Sequence, residues 1–72
     1  MPDVASNLGR NLRRARTERD LTQEQVAHRS GVHATEVSRI ERGKRDPRIS
    51  TVEKLAEAVS LSTSELLRKD AD

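Results

Sequence analysis

Among its 72 residues the chain has no Phe, Tyr, Trp or Cys. A core without rings has to be assembled from Leu, Val, Ile and Ala. No disulfide can brace it, and a chain this short buries only about 60% of its unfolded surface, so its stability margin is narrow. The lack of Cys suits a reducing compartment and removes thiolate chemistry from consideration. No apolar run approaches the ~20 residues of a membrane span, so no membrane association is expected. The start, MPDVASNLGRNLRR, lacks the apolar stretch of a signal peptide. The expected location is the cytoplasm. Only two prolines occur, at 2 and 47, and neither interrupts a periodic segment. No stretch alternates with period two for long enough to make a strand.

What is present is charge and helical periodicity. Charged residues make up 36% of the chain, a level that raises the question of disorder. The apolar positions recur at helical spacing, which argues for folding instead. Residues 1–48 hold eleven Lys or Arg against seven Asp or Glu, and residues 49–72 hold three against five. A basic first part suits a polyanionic partner, though an Arg-rich solvated surface would look the same.

Five helices are expected. The first covers about residues 4–19, with Val4, Leu8, Leu12 and Ala15 as its apolar stripe and Arg16 at the stripe's edge. Arg10, Arg13 and Arg14 point away from it and read as solvated surface. The second covers 23–30, opened by a capping box of Thr22 with Gln25, and turns Val26, Ala27 and Ser30 inward. Gly31 ends it. The third covers 34–42 and stops at Gly43; the segment KRDPR after it is a loop, because Pro47 disfavours helical geometry at Asp46. The fourth, about 51–59, is expected to open with a capping box at Ser50 and Glu53 and to bury Val52, Leu55, Ala56 and Val59. The fifth, 63–68, opens with a second box at Ser62 and Glu65 and frays into RKDAD. No repeat or linker divides residues 1–72, so one domain is expected.

Ala27, Gly31 and Val37 carry the functional signal. A small residue lets two short helices cross closely, a glycine makes the tight turn, and a valine anchors the second helix. Residues 22–42 thus read as a helix-turn-helix, a unit whose second helix can lie in the DNA major groove. This spacing alone also fits an ordinary helical hairpin. The wider stretch from Leu8 to Leu67 contains LRRAR, LTQEQVA, SGV, VSRIERGKRDP and two capped helices in order. That ordered set resembles the Cro/C1-type (XRE) helix-turn-helix family. The resemblance implies an all-α, five-helix, lambda-repressor-like domain that regulates transcription by binding double-stranded DNA at a palindromic operator as a homodimer.

On the third helix, Ile40 and Glu41 fall within about 60° of Val37, while Thr35, Ser38, Arg39 and Arg42 cluster opposite. Arg39 is the best candidate for a base contact, since a guanidinium can bridge O6 and N7 of guanine. Similarity to the family points to Ala34, Thr35, Ser38 and Arg39 as base-reading positions. Glu36 lies at the margin of this set. It can accept from cytosine N4, or rest beside Arg39 and fix it. Gln23 begins the second helix, where the family commonly contacts phosphate; a role in the cap is the alternative. Arg42, Lys44 and Arg45 are assigned to phosphate, and His33 either to phosphate or to capping the third helix.

Glu41 shares the inward face with Val37 and Ile40, where an unpaired carboxylate would be very costly. The family pairs an Arg with a Glu at the positions of Arg16 and Glu41. The alternative is that Glu41 reaches solvent beside Arg42 or Lys44. Leu61, Leu66 and Leu67 are the expected dimer interface, as in relatives; the alternative is that they close the monomer core. His28 and His33 are five apart with no Cys nearby, so no metal site is expected. No nucleophile–base–orienter set or phosphate-cradling loop appears, so neither catalysis nor a cofactor is expected. With no sensor domain, no small-molecule ligand is expected either. The rival function is an interaction protein, such as an antitoxin that masks a partner and represses its own operon; only five residues follow Leu67, which leaves little for a partner-binding tail.

Overall fold

Local chemistry sets where each helix starts and stops. The computed structural model describes residues 3–69. Within them lie α1 (Val4–Glu18), α2 (Gln23–Ser30), α3 (Ala34–Glu41), α4 (Ile49–Ala58) and α5 (Thr63–Leu67), with no strand among the described residues. Asp3 caps α1 by accepting from the Ser6 amide at 2.8 Å. Thr22 and Ser62 open α2 and α5 with reciprocal capping boxes closed by Gln25 and Glu65. At their far ends four helices run into a residue with positive φ: Asp20 (53°), Gly31 (76°), Gly43 (72°) and Ser60 (59°). After α1 the Leu21 amide donates back to Arg16 O, after α3 Lys44 N to Arg39 O, and after α4 Leu61 N to Ala56 O. These six-to-one bonds satisfy terminal carbonyls and turn the chain sharply.

The main packings are α1 on α3 and α5, α2 on α3 and α4, and α4 on α5. They close a ring around one core. Each helix contributes at least one fully buried aliphatic side chain: Leu8 and Leu12, Val26, Val37 and Ile40, Leu55, and Leu66, with Val59 added just past the end of α4. Asn11 adds a buried polar tie, its Nδ2 donating to Leu66 O at 2.9 Å and Arg68 O at 2.7 Å. This fastens the end of a five-residue helix too short to hold itself.

Gly9 explains how α1 meets α3. A glycine inside a helix is destabilising by about 1 kcal/mol relative to Ala, so it calls for a packing reason. Here the reason is direct: a Cβ on Gly9 would lie 2.5 Å from Ile40 O and 2.7 Å from Glu41 O. The bare backbone of α1 rests against the last carbonyls of α3.

Two expectations are corrected. Val4 is 63% exposed rather than part of the inward stripe, because it is the first residue of α1 and lies a turn ahead of the buried run that begins at Asn7. The capping box at Ser50 does not form. Arg48 is extended (φ −62°, ψ 154°) after Pro47, so the helix starts at Ile49 and both Thr51 N and Val52 N bond to Arg48 O. Ser50 is therefore already inside the first turn. The other helix limits shift by one residue at most. The fraying expected at residues 70–72 lies outside the described residues.

Two predictions follow from these contacts. Gly9→Ala lowers stability by about 1–3 kcal/mol despite its better helix propensity, since backbone has to move to admit the methyl group; thermal melting measures it, and a raised melting temperature would contradict the close approach. The Asp3 and Glu65 carboxyls are held below the ordinary range, chiefly by the backbone N–H bonds of Ser6 and Ser62. A lowered folded-state pKa means full cap stabilisation at neutral pH and its loss as pH falls through the carboxylate range. Glu65→Gln should therefore flatten the acid side of a melting temperature–pH curve.

Candidate nucleic-acid interface

The turn between α2 and α3 is short, and both helices are anchored beneath it by Val26, Val37 and Ile40, each fully buried. Ser30, also buried, accepts the Val32 amide at 3.1 Å and steadies the exit from Gly31. The opposite side of α3 is left open. Thr35 and Arg39 are exposed, and Ala34, Glu36 and Ser38 are half-buried.

This open side stands as a ridge between two grooves. One groove lies against the start of α2 and is lined by Gln23, Ala34, Thr35, Ser38 and Arg42, with Asp20 and Glu24 on its wall. The other lies against the loop and the start of α4 and is lined by His33, Glu36, Arg45, Arg48 and Lys54. Arg39 lines neither groove and is exposed on the side of the helix between them. Lys44 and Arg45 are exposed just past the end of α3. Arg42 folds back along the helix, its Nε 3.4 Å from Ser38 O. The arrangement is a polar, basic helix face raised above its surroundings and able to enter a concave polyanion.

Beneath the ridge, Arg16 and Glu41 form a two-pronged ion pair. Arg16 Nε donates to Glu41 Oε2 at 2.6 Å and Nη2 donates to Oε1 at 3.0 Å. Their side chains are 14% and 3% exposed. The third nitrogen, Nη1, donates to Leu21 O at 2.9 Å, and Gln23 Nε2 donates to Glu41 Oε1 at 3.1 Å. The hydrogen bonds to Glu41 hold the Arg16 proton more tightly than usual, so the guanidinium stays charged despite its burial. No described buried side-chain nitrogen or oxygen lacks a partner.

Several side chains stand differently from the sequence expectations. Glu36 pairs with Arg45, Nε to Oε1 at 3.4 Å, and not with Arg39, because Arg45 comes back past the helix end from the loop. His33 occupies the position before α3 but makes no side-chain cap bond, so α3 starts uncapped. Gln23 is no cap partner for Thr22, which Gln25 serves; its amide is turned toward Glu41. Leu66 is fully buried among the helices of the monomer and offers nothing to a second copy, while Leu61 and Leu67 are partly buried at the edge of the core. Sequence reasoning also missed Gly9 and Asn11. The signal for Gly9 was a glycine at mid-helix; for Asn11 there was none beyond an amide on an apolar face.

Among the described residues no group of His, Asp and Glu is suited to hold a metal, and no helix is long and apolar enough to cross a membrane.

Comparisons with known proteins agree with this geometry. A helix-turn-helix family model matches residues 12–66. The chain is 42% identical over 65 residues to y4dJ, an uncharacterized helix-turn-helix-type transcriptional regulator of Sinorhizobium fredii, covering 90% of this chain and 84% of that one. It is 37% identical over 67 residues to control protein C.SmaI of Serratia marcescens, covering 93% and 80%. Among solved structures, the restriction–modification controller protein C.AhdI of Aeromonas hydrophila superposes with a TM-score of 0.83 at 35% identity, covering 86% of this chain and 94% of that one.

The buried pair gives a direct test. Glu41→Ala strands Arg16 without its carboxylate and should destabilise the fold by roughly 3 kcal/mol. Chemical denaturation measures it, and an unchanged midpoint would show that the pair does not hold α3.

Proposed function

The chain belongs to the Cro/C1-type helix-turn-helix family of DNA-binding transcription regulators, and on that premise we propose that it binds a palindromic operator as a homodimer with α3 in the major groove. The observation that carries the reading is the raised face of α3, with Arg39 exposed on it and a groove on either side. A major groove about 12 Å wide admits one helix with its side chains, and the flanking grooves leave room for the two phosphate walls. Ala34, Thr35, Glu36, Ser38 and Arg39 face the bases. Gln23 at the start of α2, with His33, Arg42, Lys44 and Arg45, faces phosphate. Gln23 uses one amide hydrogen on Glu41, which leaves the other and its backbone N–H for an anion.

Dimerisation uses the turn before α5 and the outer side of α5, through Leu61 and Leu67. The monomer measures 31 × 21 × 18 Å. Two copies about a two-fold axis then place their α3 helices in successive major grooves, reading half-sites about 34–36 Å apart. The slightly acidic segment around α5 then lies away from DNA. The homodimer needs neither a cofactor nor a small-molecule effector in this scheme; the protein's own concentration sets occupancy. Such a regulator works in the cytoplasm.

Selection of bound duplexes from a random pool tests the proposal, since it returns the site, its symmetry and the half-site spacing together. Equal affinity for selected and random duplex would overturn it. On the selected operator, Arg39→Ala should weaken binding by about 1–3 kcal/mol and relax one base position in each half-site. Lys44→Ala should weaken binding evenly across sequences and flatten the salt dependence by about one unit.

A further inference from the structure

Glu36 is the only acidic residue on the outward side of α3, and its partner is a residue assigned to phosphate. The Arg45 Nε lies 3.4 Å from Glu36 Oε1, with side chains 50% and 34% exposed. A pair this open contributes little to folding. Its consequence falls on DNA binding, because both groups line the groove beside the reading helix together with His33, Arg48 and Lys54. A polyanion attracts Arg45 and repels Glu36, so the pair and the phosphates compete for the same guanidinium. Among the described residues, Arg45 is thus the cation of the reading surface that an acid already engages, while Arg39, Arg42 and Lys44 have none within ion-pair distance.

What replaces Arg45 beside Glu36 depends on the base. Cytosine presents its N4 amino group in the major groove, a donor that a carboxylate can accept; guanine O6 and N7 and thymine O4 are acceptors and repel it. Glu36 is three residues before Arg39, so the two side chains are neighbours on the helix surface.

Resting on the reading of α3 as the base-contacting helix, we infer that Glu36 determines specificity through Arg45: on arbitrary DNA it keeps Arg45 from the phosphates, and on the operator it exchanges Arg45 for a cytosine amino group and releases it to the backbone. The carboxylate thereby penalises wrong sequence twice, by its own repulsion and by withholding a cation.

The test compares wild type, Glu36→Gln, Arg45→Gln and the double variant on the selected operator and on a random duplex, across a salt series. Both substitutions lie at the surface, and thermal melting checks that folding is intact. Glu36→Gln should tighten binding to random duplex about threefold and steepen its salt dependence by about 0.9, one freed phosphate contact. The operator-to-random ratio should fall. In the double variant most of the gain on random duplex should vanish. A gain that survives whole in the double variant would reduce Glu36 to plain repulsion and overturn the coupling. An unchanged ratio in Glu36→Gln would overturn its role in specificity. A wild type that cannot tell operator from random duplex would instead bring down the base-reading assignment itself.

Discussion

The ion pair between Arg16 and Glu41 is the interaction on which the other features of the interface depend. Glu41 is the last residue of α3, where the helix dipole already places negative charge, so a carboxylate there needs a cation more than most. Arg16 supplies it with two parallel bonds. It also holds Leu21 O, and Glu41 holds Gln23. One charge pair thus joins α1, the turn after it, the start of α2 and the end of α3. A buried pair is weak evidence for net stability, since apolar side chains of similar volume often do as well. Its value here is geometric: it fixes where α3 ends relative to α2, and the two grooves beside α3 follow from that.

Gly9 and Arg16 belong to the same device. Seven residues apart, they lie two turns along one face of α1. The missing Cβ at Gly9 lets α1 settle against the terminal carbonyls of α3. That close approach brings the Arg16 guanidinium within reach of Glu41. A larger residue at position 9 would push the helices apart and lengthen the bonds it does not itself touch.

The sequence announced most of this through patterns with a single physical cause. Apolar spacing located the five helices and nearly all of the core. The capping boxes at Thr22 and Ser62 located two starts, and Gly31 and Gly43 two stops. The box at Ser50 misled because the extended Arg48 after Pro47 starts the helix at Ile49, which puts Ser50 inside the first turn instead of at the cap. For Glu36 the sequence offers a base or its helix neighbour Arg39, because periodicity knows only intrahelical distances; Arg45 arrives from a loop whose path no local rule gives. Leu66 and Leu67 are alike in sequence, yet one is fully buried and the other partly open. The phase of a five-residue helix is too short a record to separate them. Asn11 was silent for a similar reason, since its acceptors lie 55 and 57 residues away.

The length of α3 explains why so much structure stands behind so small a surface. An isolated eight-residue helix is not stable in water. Without aromatic side chains the core cannot clamp it with one large group, so several small constraints act together. Val37 and Ile40 hold its underside, the turn at Gly31 holds its start, and Gly9 and Arg16 hold its end. The outward side chains of α3 then project from a backbone whose position is set from behind. It follows that residues on α1, behind this exposed face, control the placement of Arg39 as surely as its own neighbours do. Because DNA binds only the folded chain, occupancy of the site in turn stabilises a fold with little margin to spare. Stability and recognition in this domain are two readings of one set of contacts.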